Sequence, residues 1–482
     1  MYTTDNFAED GADYGLLSPA WAGTEVAALT GDRAFVQALL DVEWTWIKVL
    51  AEAGYVDGSH VMAVAAAASA DQYDIASVAV RAQGGGNPLI PLLADLRQSV
   101  AGTHPEAAAA IHRGATSQDI VDTALMLLAR RSIAVIGADL RSAAAALADL
   151  AERHRQTLCV ARTLTQHSLP STFGLKAAQW LAGVGQAGVR LEEVASGLPL
   201  QWGGAAGTMA AVTQLAGSDG PGAGEHDAGA LPLAADLASR LGLADPVAPW
   251  QTNRLPVTGL GQALADVLAA AGKIANDVLL LSRPEVGEVS EPAVPGRGVS
   301  SAMPQKQNPV LSVLIRSAAL AAPGYQVQLQ TAAGAAVDER PDGSWHVEWQ
   351  ALRQLLRLAG GGAAKLAELA AGLTVHPERM RAALELTGPL LVSEKIMAVI
   401  APLLDGETSG SGKKRVQALV EQSRRTSAGR GEPLAVLLRD AVSRDALSDT
   451  ELAALLDPAS YIGASEQLIT RIVSTYQDWS AA

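Results

Sequence analysis

The sequence offers little for disulfides, metals or membranes to act on. One cysteine, Cys159, stands among 482 residues. A lone thiol makes no internal disulfide and no cysteine metal site, and it reads as a small buried hydrophobe. No HExxH and no Cys/His cluster occurs, so no metal and no other cofactor is expected. Aromatic residues are 4% of the chain and the 9 tryptophans are dispersed, as core or interface residues would be. No run of about 18 apolar residues free of charge stands out, so no membrane span is expected. The opening MYTTDNFAEDGADYG lacks the basic and apolar regions of a signal peptide, which points to the cytoplasm. Positive charge is also in the minority, with 36 Lys and Arg against 50 Asp and Glu and a net charge of −14. Such a chain is a poor match for a phosphate backbone, so a nucleic-acid partner is not expected. A small anionic substrate stays compatible, because a pocket can concentrate Arg and Lys locally.

What is present is apolar and helical. Hydrophobic residues make up 49% of the chain, enough for a large core. Residues 34–54 place apolar groups three and four apart and end at glycine. The stretch from about 107 to 155 reads as a long helix with Gly137 as a candidate break, and residues 173–195, 259–282 and 309–333 read alike. Period-two alternation is scarce. Helices this long with wide apolar faces pack into bundles. Loops are expected at 82–91 (AQGGGNPLIP), at the Gly-, Asp- and Pro-rich 215–232, and at 283–304 (RPEVGEVSEPAVPGRGVSSAMP). A structureless loop as long as the last, inside a helical protein, is often functional. The expectation is an all-α chain of three regions: 1–111, a central long-helix bundle at 112–364 carrying the 283–304 loop, and 365–482, where short helices alternate with turns.

Chemistry concentrates at Gly298-Val299-Ser300-Ser301-Ala302-Met303-Pro304-Gln305-Lys306-Gln307-Asn308-Pro309. This is a glycine-hinged loop with two hydroxyls, a lysine and an amide, leading into a helix near Pro309. Hydroxyls and backbone donors beside a helix N-terminus can hold an anion or stabilise an alkoxide, so a serine could serve as a base there. The same residues also fit a flexible surface loop with a capping serine. Earlier in the chain, His112-Arg113-Gly114-Ala115-Thr116-Ser117-Gln118-Asp119 precedes a helix. Thr116 and Ser117 could cap it or hold a carboxylate.

The loop resembles the signature G-S-S-x-M-P-x-K-x-N-P of the fumarase/aspartase superfamily, with Val299 interposed after the glycine. By that resemblance Ser300 takes the catalytic-base position beside Ser301, and Lys306 and Asn308 bind a substrate carboxylate. The 112–119 run is similar to the H-x-G-A-T-S-x-D region of adenylosuccinate lyase and its relatives, whose Thr and Ser contact substrate. Arg162-Thr163-Leu164-Thr165-Gln166 resembles the superfamily's R-T-H-x-Q segment, with leucine in place of the usual general-acid histidine. Gln166 would reach the substrate. The branch of bacterial 3-carboxy-cis,cis-muconate cycloisomerases shares that leucine, and the likeness to it runs through GLLSPAWAG at 15–23, GGNPLIPLL at 85–93, GGAAGTMAA at 203–211 and VDERPDGSWHVEW at 337–349. It implies that Asn87 and Arg340 lie at the substrate pocket, and that four identical chains assemble with active sites shared between subunits.

The departures are informative. Without a histidine at Leu164 a poor leaving group lacks its usual proton donor. His167 and His112 are further candidates, although His167 reads more simply as a helix-face residue. That branch commonly has M-P-H-K-R-N-P where this chain has Gln305 and Gln307, and His and Arg near 250–254, where this chain has Gln251, Asn253 and Arg254, the last a further site candidate. It usually lacks a tryptophan at Trp202. Less positive charge suits a substrate with fewer than three carboxylates, and a missing acid suits a good leaving group. The expected reaction is therefore β-elimination from a substituted succinate to give fumarate, with nitrosuccinate the best candidate. Cycloisomerisation of 3-carboxy-cis,cis-muconate is the alternative. A helical scaffold that lost activity is a third reading, opposed by the intact Ser300, Ser301, Lys306, Asn308, Thr116, Ser117 and Gln166. GETSGSGKK at 406–414 has the wrong glycine spacing and no preceding strand for a phosphate loop, and the three glycines at 84–86 lack a βαβ setting.

Overall fold

The computed structural model describes residues 14–217, 229–300, 302–303, 305–405, 410–427 and 433–481. The six longest helices among them are Asp32–Glu52, Ser117–Arg153, Phe173–Ser196, Leu255–Leu281, Val310–Gly334 and Gly343–Gly372. All but Gly343–Gly372, which lies outside them, correspond to the periodic stretches read from the sequence. The Ser117–Arg153 helix differs at both expected features. It starts after a turn at 111–116 that separates it from Pro105–Ala110, and it runs unbroken through Gly137. Ile133, Ile136 and Leu140 are buried around that glycine, so packing outweighs the roughly 1 kcal/mol that glycine costs a helix.

Strands are few, so the chain is all-α, but one pair had no period-two signal. Leu158–Thr163 and Gln166–Thr172 form an antiparallel hairpin with Thr163 opposite Gln166. His167 therefore sits on a strand and not on a helix face. The second pair is short: Val289–Ser290, in the long loop, against Thr374–Val375.

The chain divides into two compact units, each drawing on more than one sequence region. The first comprises Met1–Ser142, Gln186–Ala275 and Leu311–Ala367, and the second Ala143–Gly185, Asn276–Val310 and Glu368–Ala482. In the first unit, the buried face of Asp32–Glu52 (Val36, Leu39, Leu40, Trp46, Ile47, Leu50) is wholly enclosed. Helices also approach closely there. A Cβ on Gly261 would lie 2.4 Å from Leu329 Cδ1 and 2.4 Å from Gln326 Oε1. In the second unit an apolar cluster joins Val392, Ile396, Ile400, Val416, Leu438 and Leu452.

Two stretches are long and apolar enough to cross a membrane by length and composition, Val310–Gly334 and Pro377–Leu404, with mean hydropathies of 1.3 and 1.4. The first carries Ser312 and Gln326 on its buried side, and Gln326 donates to the Thr258 carbonyl. The second is two helices separated by a 3-10 turn at Gly388–Val392.

The close approach at Gly261 sets the sign of a substitution. An exposed helical glycine gains up to about 1 kcal/mol on change to alanine. Gly261→Ala is expected instead to lower stability by about 1–3 kcal/mol through overpacking. A drop in the urea midpoint with unchanged slope is the readout.

Candidate active site

The first unit gathers Thr116, Ser117 and Arg340. Arg340 follows Asp338, whose φ is 52°, in the turn between Val310–Gly334 and Gly343–Gly372. Its guanidinium donates to Thr116 Oγ1 at 3.2 Å and to Ser117 Oγ at 2.7 Å. Ser117 is the first residue of a 37-residue helix. One cation, two hydroxyls and the positive end of a long helix thus share one place, which is the composition of a carboxylate site.

Asp119 holds this place in shape. It is fully buried and accepts from the amides of Thr116 (2.9 Å), Gly203 (2.8 Å) and Gly204 (3.0 Å) and from Gln201 Nε2 (3.1 Å). Burial pushes its carboxyl up to about 6, while the amides and Gln201 pull it back. Gln251 closes the same loop from the other side, donating to the Gly204 carbonyl at 2.6 Å. Trp202 is buried against Trp46, centroids 4.6 Å apart, and Trp46 Nε1 donates to the Arg113 carbonyl at 2.8 Å. Two of the residues that set this chain apart from the cycloisomerase pattern, Gln251 and Trp202, therefore stand behind the 112–117 turn.

Arg254 requires a correction. Only 2% exposed, it is enclosed by two carboxylates, Asp122 (Nη1 at 2.6 Å, Nη2 at 3.0 Å) and Glu348 (Nη2 at 2.6 Å). A guanidinium so committed and so buried has no face left for substrate. Burial pushes Glu348 up, and Arg254 opposes this. Asn87 is buried; its side-chain NH2 donates to the Gly85 carbonyl at 3.4 Å, and its Oδ1 is buried with no hydrogen-bond partner among the described residues. His112 adopts φ 62° with Nδ1 2.6 Å from the buried Glu43 Oε1.

The other expected residues belong to the second unit. Ser300 Oγ accepts from the amides of Met303 (3.2 Å) and Ala302 (3.4 Å). Two N–H groups aimed at one hydroxyl oxygen favour its alkoxide. The loop is pinched behind it. Val299 bridges Gln307, and the Asn308 amide and side-chain Nδ2 both donate to the Gly298 carbonyl, at 2.9 and 3.0 Å. Gly298 is at φ 70°, and a Cβ there would lie 2.5 Å from the Asn308 carbonyl oxygen, so only glycine fits. Asn308 thus shapes the loop, and Lys306 is exposed beside it. Ser301 and Pro304 lie outside the described residues, as do 1–13, 218–228 and 406–409 of the stretches singled out in the sequence.

The root of this loop is anchored. Arg162 pairs with Glu288, which is 1% exposed, and Arg297 pairs with Glu368 at 2.6 Å. Arg162 belongs to the hairpin whose two-residue tip is Leu164 and Thr165, at φ 50° and 71°. Two successive left-handed residues make the type I′ pattern, which ordinarily calls for Asn-Gly. Leu164 is 96% exposed on that tip. Gln166 donates to Thr165 Oγ1 at 3.2 Å. His167 Nδ1 lies 2.7 Å from Thr387 Oγ1, and burial and then Arg162 push its pKa down. Both influences disfavour the imidazolium, the form that serves as a general acid.

Sequence reasoning named the clamp but not Asp119, Glu288 or Trp345. The signals were the terminal Asp of the 112–119 run and the acid ending RPEVGE. The Asp119 geometry sets a pH dependence. Above about 6 the ionised carboxylate holds all four donors; as pH falls through 6 it protonates and releases at least one, loosening Thr116. Because its folded pKa lies above the unfolded 3.8, ionisation costs folding stability, and that cost is removed as pH falls from 6 towards 4. The expected outcome is a KM that rises below pH 6 while the thermal midpoint does not fall with it. Asp119→Asn, which puts an NH2 among N–H donors, should raise KM at every pH.

A lyase family model matches residues 32–219 and 230–324. The chain is 46% identical over 463 residues to a nitrosuccinate lyase of Streptomyces davaonensis, covering 96% of this chain and 94% of that one. It is 38% identical to a 3-carboxy-cis,cis-muconate cycloisomerase of Bradyrhizobium diazoefficiens, covering 96% and 98%. The crystal structure of the 3-carboxy-cis,cis-muconate lactonizing enzyme from Pseudomonas putida superposes with a TM-score of 0.85 at 34% identity, over 97% of this chain and 100% of that one. The expectation read from the signature loop is met: this chain is an enzyme of the lyase family, within the fumarase/aspartase superfamily.

Proposed function

We propose that this lyase eliminates nitrite from nitrosuccinate to give fumarate. Two devices, one in each unit, support the reading: two backbone amides directed at Ser300 Oγ in the second, and Arg340 with Thr116 and Ser117 set for a carboxylate in the first. Ser300, as the alkoxide, takes the proton from the carbon between the nitro-bearing carbon and the far carboxylate. The C–H pair moves through an enediolate of that carboxylate, which Lys306 and backbone amides stabilise. It then becomes the new double bond as the C–N pair departs with nitrite. Asn87, Thr116, Ser117 and Arg340 orient the substrate, with Gln166 in reach. Nitrite is a stable anion and needs no proton, which fits Leu164 at the hairpin tip and a His167 whose charged form burial and Arg162 disfavour. The 46% identity to a nitrosuccinate lyase supports the same substrate.

The second reading, cycloisomerisation of 3-carboxy-cis,cis-muconate, is favoured by the 38% identical relative and the superposed lactonizing enzyme. A paired assay separates the two. Incubation with nitrosuccinate should release fumarate and nitrite in equal amounts, while the diene absorbance of 3-carboxy-cis,cis-muconate stays constant. Loss of the diene with no fumarate would replace the first reading with the second.

We also propose that the enzyme works in the cytoplasm, free of membrane and nucleic acid and without a cofactor, as a homotetramer whose active sites combine segments of different copies. An Asn87→Ala chain mixed with a Ser300→Ala chain should then recover activity that neither has alone. No recovery from two variants that remain tetrameric would reject shared sites.

A further inference from the structure

The carboxylate clamp has a weak member. Arg340 is an exposed, long side chain with many rotamers, on a turn and not on a helix. Hydroxyls at Thr116 and Ser117 cannot by themselves fix it, because both rotate with it. What lies under it is Trp345: the guanidinium carbon stands 5.6 Å from the ring centroid. A cation over an indole face is attracted to it, and the flat guanidinium takes up the orientation of the ring.

Trp345 itself cannot move. It is 3% exposed, and its Nε1 donates to Asp122 Oδ1 at 2.8 Å. Trp349 packs edge-on against it, centroids 4.8 Å apart at 80°. Asp122 is held in turn by Arg254 through both terminal nitrogens and by Gln118 Nε2 at 3.1 Å. Gln118 and Asp122 occupy the opening turns of the helix that begins with Ser117. One hydrogen bond, Trp345 to Asp122, thus ties the helix start that carries the clamp's hydroxyls to the helix start that follows the clamp's arginine.

We infer that Trp345 is a positioning residue for substrate carboxylate recognition, orienting Arg340 over Thr116 and Ser117 through its bond to Asp122. Arg254 and Glu348 complete the support. Burial alone accounts for a tryptophan in the core, but not for its polar end meeting the same carboxylate that Arg254 holds while its face carries the exposed arginine. The inference rests on the reading of this place as a dicarboxylate site.

The test is a double-mutant cycle on the full-length enzyme, read by fumarate binding in calorimetry and by the steady-state split of KM and kcat. Arg340→Ala should weaken fumarate binding by about 10- to 100-fold, as loss of hydrogen bonds to a charged group does. Trp345→Phe keeps a ring but removes the bond to Asp122. It should weaken binding and raise KM by about three- to tenfold with kcat within twofold, and should have no further effect in the Arg340→Ala background. Trp345→Tyr, the same ring with a hydroxyl added, fills more of the space where phenylalanine leaves the core too loose to fold, and a hydroxyl that reaches Asp122 should return binding towards that of the unaltered enzyme. A purely structural tryptophan would lower the thermal midpoint and the active fraction, leave fumarate affinity of the folded fraction unchanged, and act equally in both backgrounds; that result overturns the inference. Unaltered fumarate binding in Arg340→Ala overturns the dicarboxylate reading, and the inference with it. A normal Arg340→Ala loss beside an unaffected Trp345→Phe removes the inference alone.

Discussion

The first turns of the Ser117–Arg153 helix bury two carboxylates, and most of what the first unit can do follows from how those two charges are satisfied. An isolated carboxylate in an apolar interior is too costly to keep. Asp122 and Glu348 share one cation, Arg254, so three buried ionisable groups form one connected cluster. Asp119 has no cation. It is matched by three backbone amides and one side-chain amide, a solution that demands that the chain at Thr116, Gly203 and Gly204 be folded around it. The two acids therefore fix different things. Asp122 orders side chains, and Asp119 orders backbone. Between them they bring the 112–117 turn, the 201–204 loop, Trp250–Arg254 and the start of Gly343–Gly372 to one place, and the exposed clamp is the outer surface of that arrangement.

The second unit combines strained backbone with a buried anchor, Glu288. Leu164 and Thr165 occupy left-handed backbone that neither residue favours, and such conformations persist only where the surroundings determine them. Here the ladder between Leu158–Thr163 and Gln166–Thr172 and the Arg162–Glu288 pair supply that determination. Glu288 also begins the long loop, and its carbonyl accepts from the His376 amide at 2.9 Å. The hairpin and the loop thus share an anchor. Beyond it, the Arg297–Glu368 pair and the Gly298–Asn308 pinch hold the segment in which Ser300 meets its two amides. The long loop is irregular in secondary structure but far from unconstrained.

Much of this was legible in the sequence, for definite reasons. Long helices announced themselves because a buried helical stripe must repeat every three to four residues. The signature loop was legible through its resemblance to the superfamily signature, since its residues alone also fitted a surface loop with a capping serine; the glycine at positive φ, the serine facing amides and the asparagine folded back on the glycine carbonyl became visible only in the structure. The hairpin was hidden. Its turn is Leu-Thr and not Asn-Gly, and QHSLPST carries a proline and no alternation. Arg254 misled because its role depends on Asp122 and Glu348, which lie 132 and 94 positions away. From sequence, an arginine near a substrate motif looks like a ligand, and only burial reveals it as a counter-ion. Trp345 was hidden for the same reason: nothing local says that its ring and its N–H serve two different partners.

The two units also divide the chemistry in a way that bears on the leaving group. On the proposed reading, Arg340 with its two hydroxyls in the first unit would stabilise charge that is present before and after reaction and so contribute to binding, and Ser300 with its amides would stabilise charge that appears during reaction and so contribute to rate. A third function, delivering a proton to what departs, is the one that the hairpin in other superfamily members supplies by a histidine. Here that position is an exposed leucine in strained backbone, and the nearest histidine along the strand is turned to Thr387 with its pKa lowered by burial. Leucine cannot donate, so the site gains only from a leaving group that is already stable as an anion. A nitro group that leaves as nitrite meets that condition through its own electronic structure, whereas an amine or hydroxide does not.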